Sequence, residues 1–432
     1  MQKKGLLFFL LFWLVALQLH AQQPVSVDER TSEHVFTHRE VQWLEDKNGA
    51  FNIDEIRSAG FENKFKDIKG GVYPKNYNNH SVYWYRIKIN LSDLPKNKVS
   101  LIEFFDQTTD DITAFIPDTT GKYIQARSGA AFNFSQRLFK HKNFEFKVLD
   151  RSNGSYTYYF RLRSKEQVNV IIVYRTIDYF IHYALTEYLS YGIFYGMILI
   201  FCLHNLLMFI AVRRLQYLFY VLYILSVGFY EMSVDGIAFQ YLWPGSPNWN
   251  EYAYGTALFL VSIFALEFTK ELLQVKTRAR RLYKLINTVL ILRTVYFLYC
   301  FFFNKNLFIL KFVEFIPLTI AFCTGYWIWS RGFKPARFFV LGYTFLFLGF
   351  IIKAATVLGL NYAVIGRIFG HYSLSISFIL EMVFLSFSIS DQVRLLRKEK
   401  DAAQEETIHQ LAINAELKDS INREIEEQVS IR

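Results

Sequence analysis

Cysteine is scarce in this chain. Three of the 432 residues are cysteine, all of them lie within long apolar segments, and none has CxxC spacing. Disulfide frameworks and zinc sites both need clustered cysteines, so we predict neither, and no other metal. An exported domain of this protein must then be held together by an ordinary apolar core. The three residues are Cys202, Cys300 and Cys323.

The common catalytic signatures are also absent from the sequence. It contains no GxxxxGK[ST], HExxH or GxSxG pattern, and His409 lacks the acidic and proline context of a kinase phospho-acceptor. Each of these signatures is the local geometry of one particular chemistry. We therefore expect no enzyme activity and no cofactor in these residues. An output enzyme, such as a histidine kinase or a cyclase, could follow residue 432 or be a separate partner.

What the second half of the chain does contain is a series of long apolar runs. Seven aromatic-rich segments follow one another between Leu185 and Ser390. Each has about the twenty residues that a membrane helix needs, and each is apolar on every face, unlike a barrel strand. We predict a seven-helix membrane domain over residues 184–392. The segments are 186–212, 215–238, 251–273, 282–303, 307–330, 336–360 and 368–391.

The N-terminus carries an apolar run of another kind. Lys3 and Lys4 precede it, and Leu19-His20-Ala21 offers a small residue for cleavage. This pattern predicts a signal peptide at residues 1–21, with an uncleaved anchor helix as the alternative. Both alternatives export the residues that follow.

The net charge of +10 does not indicate nucleic-acid binding, because much of the basic excess lies in short loops between the apolar segments. There it orients the helices and contacts anionic lipid headgroups. In the loops that would lie outside, the only basic residues are Lys305 and Arg367. This asymmetry predicts a cytoplasmic C-terminus. The inner basic residues are Arg213, Arg214, Lys276, Arg278, Arg280, Arg281, Arg331, Lys334, Arg337, Arg394, Arg397, Lys398 and Lys400.

Residues 22–183 have the pattern of a β-rich domain. Val82–Leu91 alternates after an aromatic start, and short β-branched and aromatic runs follow it, separated by Pro, Gly, Asn and Asp. Such spacing predicts an all-β sandwich of jelly-roll type, and the length suffices for one core. The further runs are Ser100–Phe105, Asp111–Ile116, Phe144–Leu149, Tyr156–Arg163 and Val168–Tyr174.

A set of motifs, in order and spacing, resembles one known family. The motifs are Tyr83-Trp84-Tyr85-Arg86, Phe134-Ser135-Gln136-Arg137, Tyr158-Tyr159-Phe160-Arg161, Tyr191-Gly192-Ile193-Phe194-Tyr195-Gly196, His204-Asn205 and Asp235-Gly236 through Trp243-Pro244. They resemble the bacterial 7TMR-DISM receptors, seven-transmembrane receptors with diverse intracellular signalling modules, with a type 2 extracellular domain. The resemblance implies a bacterial inner-membrane receptor with a periplasmic jelly roll that binds a small molecule or carbohydrate.

Four residues of the exported domain are candidates for ligand binding. Trp43 and Trp84 offer faces on which a sugar ring could stack, while Arg137 and Arg161 match family positions. The alternative for the aromatics is the core, and for the arginines a structural ion pair or loop anchor.

Ionisable residues inside the membrane segments form a second set of candidates, because burying them in hydrocarbon is costly unless they pair or face a cavity. Arg293 and Glu381 lie near the middle of the fourth and seventh segments, so we predict that they pair. Glu231, Glu314 and Lys353 lie toward the outer ends, where they could line a polar vestibule, as could Asp235, Lys311 and His371. Snorkelling to the interface is the alternative for the last three.

The tail, residues 393–432, is predicted to be a charged helical or coiled-coil linker. Leu417, Ile421, Ile425 and Val429 recur every four residues and stay on one face. This stripe suits a homodimer through residues 408–432 or docking of a cytoplasmic signalling protein.

Together these features predict a sensory receptor that passes an extracellular signal through seven helices to a cytoplasmic output. The alternative is a polytopic transporter or channel component with an extracellular accessory domain, since charged groups within the membrane also mark transport pathways. No internal repeat and no corresponding pair of broken helices supports that alternative.

Overall fold

The computed structural model describes residues 22, 24–68, 74–92, 98–118, 120–149, 153–357 and 367–430. The predicted signal peptide therefore lies outside the described residues. The chain forms two compact units. The first runs to Phe201 and adds Leu225–Leu260 and Tyr296–Lys311. The second comprises Cys202–Ile224, Val261–Val295 and the residues from Phe312 onward.

Within its described residues, the N-terminal region is a two-sheet sandwich of eleven strands. One sheet has the order β4-β3-β5-β10-β7-β8, with β1 parallel to β5, and the other has the order β2-β11-β6-β9. The strands are β1 Val25–Val27, β2 Glu33–Val35, β3 Val41–Asp46, β4 Lys66–Asp67, β5 Val82–Leu91, β6 Ser100–Phe104, β7 Asp111–Pro117, β8 Tyr123–Ser128, β9 Phe144–Val148, β10 Gly154–Arg163 and β11 Ile172–Thr176.

The pairing of eight of these strands is that of a jelly roll. β2 pairs with β11, β5 with β10, β6 with β9 and β7 with β8, all antiparallel. The chain is thus one long hairpin whose pairs are nested and rolled into two four-stranded sheets, as in double Greek-key sandwiches. The predicted fold class is confirmed. Strands β1, β3 and β4 extend the sheet that contains β5.

Strand β5 is buried on both faces, which explains its continuous aromatic start. Tyr83, Tyr85 and Ile87 enter the core between the sheets. Trp84 belongs to a second cluster on the opposite face, which includes Ile56 of a short helix. A strand covered on both sides has no polar face, so alternation is lost there. The covering segment contains the helices Ile53–Arg57 and Ala59–Glu62.

Helices make up most of the described residues that follow the sandwich. Among these residues, six helices are long and apolar enough to cross a membrane: Ile177–Val212, Leu215–Val234, Trp249–Leu272, Arg280–Phe302, Ala336–Val357 and Arg367–Ser430. Phe315–Ser330 is apolar but shorter. The short helices Ile237–Tyr241 and Val275–Arg278 lie in connections. The last long helix continues without a break from the final membrane segment into the charged tail.

The fifth segment departs from the prediction of one helix over 307–330. Its α-helix begins only at Phe315, after 3₁₀ turns at Lys305–Ile309 and Lys311–Glu314. Pro317 accounts for this start, because proline lacks an N–H and its ring clashes with the carbonyl four residues earlier, so it fits only the first turn.

Gly129, directly after β8, is expected to be essential for the sandwich. A Cβ atom there would lie 2.1 Å from the Asp110 carbonyl oxygen, and the residue has a φ of +153°. Gly129→Ala should therefore cost on the order of 3 kcal/mol. Gly121→Ala is the matched control, because Gly121 also has a positive φ but open space around it, and it should cost only about 1 kcal/mol. Thermal unfolding of both variants, followed by near-UV circular dichroism, measures the difference, and equal losses would contradict the close approach.

Candidate functional site

A surface pocket opens beside β3 and β4 of the sandwich. It has a volume of about 450 Å³ and is lined by Trp43, Lys66, Asp67 and Tyr77. The rings of Trp43 and Tyr77 lie 5.7 Å apart, and the Lys66 ammonium lies 5.5 Å from the Trp43 ring centre. The pocket therefore combines two aromatic faces with an ammonium and a carboxylate. Such a lining suits a small polar ligand with one apolar face.

The local fold fixes each of these groups. Trp43 and Lys66 are directly opposite each other in the β3–β4 ladder. The Gln42 amide donates a hydrogen bond of 2.7 Å to Asp67 and orients its carboxylate. Tyr77 is 56% exposed, so its ring is available to a ligand. Of the four predicted ligand residues, Trp43 alone lines this pocket.

The other three predicted ligand residues lie elsewhere. Trp84 is 1% exposed and stacks on Phe115 in the second core cluster. It is therefore a core residue, which was the alternative to ligand binding. Arg137 is buried and donates to the carbonyl oxygens of residues 141–143, so it anchors a loop. Arg161 is partly exposed on β10, and its guanidinium approaches the position of Gly49.

Sequence reasoning missed a cluster of charged residues, all but Glu33 buried, where the sandwich meets the first long helix. We define this junction cluster as Glu33, Glu103, His141, Lys142, Glu145, Arg175 and Glu187. Arg175 of β11 bridges Glu33 and Glu103. Glu103 lies within the run Leu101-Ile102-Glu103-Phe104, and a charge inside an apolar strand was the signal that could have revealed the cluster.

The first long helix enters this cluster directly. It begins at Ile177, the residue after β11, and Glu187 lies nearly three turns further on. The Lys142 ammonium lies 3.1 Å from Glu187, and the other carboxylate oxygen of Glu187 lies 3.5 Å from His141 Nε2. On its other side, His141 Nδ1 lies 2.9 Å from Glu145. The helix is thus joined to β9 by charged contacts.

Ion pairing rather than metal binding is favoured in the junction cluster. Ligand atoms of Glu103, His141 and Glu145 lie within 4.8 Å of one another. However, Asn143 and Arg175 already donate to Glu103, and Lys142 supplies a positive charge beside Glu187. A divalent cation would have to displace these donors.

Burial and pairing shift the titration of two cluster members. Burial by itself lowers the pKa of His141, but the hydrogen bond to Glu145 and the close contact with the Glu187 carboxylate outweigh it and raise that pKa above its ordinary value. Burial raises the pKa of Glu145, and the hydrogen bond with His141 limits the rise.

A second set of contacts joins the sandwich to the connection after the second long helix. The Phe134 amide donates to the Pro244 carbonyl at 2.9 Å, and the Phe134 ring packs edge-on against Phe239 at 5.6 Å. Gln240 donates to the Lys140 carbonyl at 3.0 Å and also accepts from Tyr188 of the first helix. The loop that contains Arg137 is therefore held by both helical segments.

The intramembrane candidates form two separate contacts, so the predicted pair of Arg293 with Glu381 is wrong. Arg293 pairs with Glu314, which also accepts from Ser262. Glu381 is fully buried and accepts from the Tyr223 hydroxyl at 2.6 and 2.7 Å. No salt bridge to Glu381 occurs in the part of the chain that the structure describes.

The late start of the fifth helix explains the change of partner. Glu314 is the N-cap residue of Phe315–Ser330, where a negative charge is favoured by the helix dipole. A helix starting near residue 307 would have placed it elsewhere. Glu231 is buried, Lys353 is partly buried, and Asp235 accepts from Tyr195 at 3.3 Å. The side chains of Lys311 and His371 lie outside the described residues.

Removing either charge of the Arg293–Glu314 pair should destabilise the protein. Arg293→Met or Glu314→Gln leaves a buried charge without its partner, at a cost of roughly 3–5 kcal/mol, whereas the double variant should lose less than the sum. Thermal stability in detergent measures the coupling. Glu381→Gln is the control, because its loss should add to that of Arg293→Met. Additive losses for Arg293 and Glu314 would contradict the pair.

Comparison with known families agrees with this architecture. Residues 38–176 match the model described as 7TMR-DISM extracellular 2, which covers most of the sandwich. Residues 187–392 match the model described as 7TM diverse intracellular signalling, which covers the membrane helices. No curated protein matches the chain. The chain belongs to the 7TMR-DISM family and is a multi-pass transmembrane sensory receptor with an extracellular N-terminal domain.

Proposed function

We propose that this receptor binds a small carbohydrate in the pocket of Trp43, Lys66, Asp67 and Tyr77 and passes the signal to a cytoplasmic output through its last helix. The observation that carries the proposal is the pocket itself, which places two aromatic faces beside an ammonium and a carboxylate. Sugar rings stack their C–H faces on aromatics, while their hydroxyls bond to charged groups.

The continuity of the last helix supports the route of the signal. Arg367–Ser430 is one helix of 64 residues, so a shift of its membrane part is carried into the tail. Leu417 and Ile421 are exposed there, while the side chains of Ile425 and Val429 lie outside the described residues. An apolar stripe exposed on a charged helix fits a signalling partner or a second copy of the chain. We further propose that the protein lies in the inner membrane of a bacterium, with its C-terminus in the cytoplasm. The enzymatic step of signalling would then be performed by another module.

Trp43→Ala should weaken ligand binding at least about tenfold, because loss of one stacking face removes roughly 1.4 kcal/mol. The measurement is binding of the full-length receptor to a panel of purified neutral and acidic oligosaccharides. Phe132→Ala is the matched control, since a basic residue, Arg127, also covers the Phe132 ring, but this ring does not line the pocket. Binding unaffected by Trp43→Ala, or no binding across the panel, would refute the site.

Lysine at Leu417 and Ile421 should abolish signalling but leave oligosaccharide binding intact, because the apolar face that contacts the output is lost. The assay is a fusion of a histidine-kinase catalytic domain after Arg432, with autophosphorylation as the readout. The matched control places lysine at Ala412 and Ala415, which lie on the opposite face of the same exposed helix.

An unchanged kinase response in the Leu417/Ile421 variant would contradict the role of the stripe. Uptake of the same oligosaccharide into vesicles, insensitive to both pairs of lysines, would favour a transporter instead.

A further inference from the structure

His141 lies between two carboxylates in a position that favours its protonated form. A carboxylate oxygen faces each ring nitrogen: Glu145 Oε1 lies 2.9 Å from Nδ1, and Glu187 Oε2 lies 3.5 Å from Nε2. A neutral imidazole has a single N–H and donates from one nitrogen only, whereas an imidazolium donates from both. The Glu145 contact is a hydrogen bond, whereas the Glu187 contact is a longer ion-pair contact. Both are attractive together only when the ring carries a proton on each nitrogen.

A third contact supplies an alternative for the neutral ring. The backbone N–H of Asn143 lies 3.3 Å from His141 Nδ1 and can donate to it when that nitrogen has no proton. In that state the Nδ1 lone pair points toward Glu145 and repels its carboxylate. His141 thus has two hydrogen-bonding arrangements, and a single proton selects between them.

Buried carboxylates around the ring also favour the proton. Glu103 Oε1 lies 3.9 Å from His141 Nδ1, and Glu103, Glu145 and Glu187 are all buried. These neighbouring negative charges favour the imidazolium, whereas the Lys142 ammonium opposes it. The other groups that pack against the ring are Phe180, Tyr183 and Tyr188 of the first helix, and Asn143 of the loop.

We propose that His141 is a pH-operated clasp: with its proton it holds the first long helix, through Glu187, to the sandwich, through Glu145, and without the proton this connection loosens. Lys142 also contacts Glu187, so the helix stays attached in a weaker arrangement. The clasp does not need a ligand, so it operates whether or not the pocket binds a carbohydrate. The receptor would then report extracellular acidity in addition to its ligand.

The direction of the pH effect follows from the titration of the ring. Because the pKa of His141 is higher in the folded chain than in the unfolded one, the clasp stabilises fully below about pH 6.5 and is lost as pH rises through the folded value. The pKa of Glu145, also raised in the folded chain, changes stability in the same direction. Alkaline conditions therefore open the junction.

Hydrogen–deuterium exchange of the full-length protein in lipid nanodiscs tests the clasp without any ligand. After correction for the intrinsic exchange rate, peptides covering residues 134–148 and 181–190 should lose about tenfold or more of their protection between about pH 6 and about pH 9. The variant His141→Gln should show low protection and little change with pH. His182→Gln is the matched control, because His182 is exposed on the same helix, and it should behave as the native protein does.

Glu145→Gln provides a second variant that preserves the shape of the site. Its amide can still accept from Nδ1 but no longer carries the charge that favours the imidazolium, so the midpoint of opening should move to lower pH. Protection of the native protein that does not vary with pH overturns the proposal, even if no variant folds. The same pH dependence in His141→Gln as in the native protein overturns it as well.

Discussion

Burial of charge at the point where the sandwich becomes helix constrains the first unit of this protein more than any other feature. No residue separates β11 from the helix Ile177–Val212, so Arg175 and Glu187 belong to one continuous segment. Each buried ion costs several kcal/mol unless it keeps its partner, which makes this arrangement intolerant of small displacements. A rotation or tilt of the helix start would therefore have to break or exchange specific ion pairs. The junction has few intermediate arrangements available to it.

The jelly roll places this junction and the pocket on different sheets of one core. β3 and β4, which carry the pocket, extend the sheet that contains β5, whereas β11 lies in the other sheet. Trp43 packs on Tyr83 at 5.9 Å, and Tyr83 stacks on Tyr85 at 6.3 Å. Tyr85 belongs to the same buried cluster as Tyr174, the neighbour of Arg175. Dense packing of this kind has low compressibility and transmits strain, which is the property that the proposed signalling from the pocket would use.

The sequence predicted features that depend on local pattern and did not predict those that depend on long-range pairing. Apolar length identified the membrane segments, and strand alternation around Val82–Leu91 identified the sandwich. The predicted partner of Arg293 was wrong because the depth of each charged residue in the membrane had been inferred from its position in its segment. Pro317 delays the start of the fifth helix, which leaves Glu314 at the N-cap of that helix. Trp84 and Trp43 are alike as sequence signals, since both are tryptophans within predicted extracellular β-rich sequence. The second core cluster on the outer face of β5 buries Trp84, whereas Trp43 lies beside the pocket.

The junction cluster escaped sequence reasoning for the same physical reason. Its members come from β2, β6, β9, β11, one loop and one helix, and only His141, Lys142 and Glu145 lie close together in the chain. A buried ion pair adds little net stability compared with apolar packing, but it discriminates strongly between correct and incorrect geometry. That property suits a receptor, because a ligand or a proton can shift an equilibrium only by its differential affinity for two states. An apolar interface can shift among many similar arrangements, whereas an interface of buried ion pairs changes between a small number of them, as the clasp proposed at His141 requires.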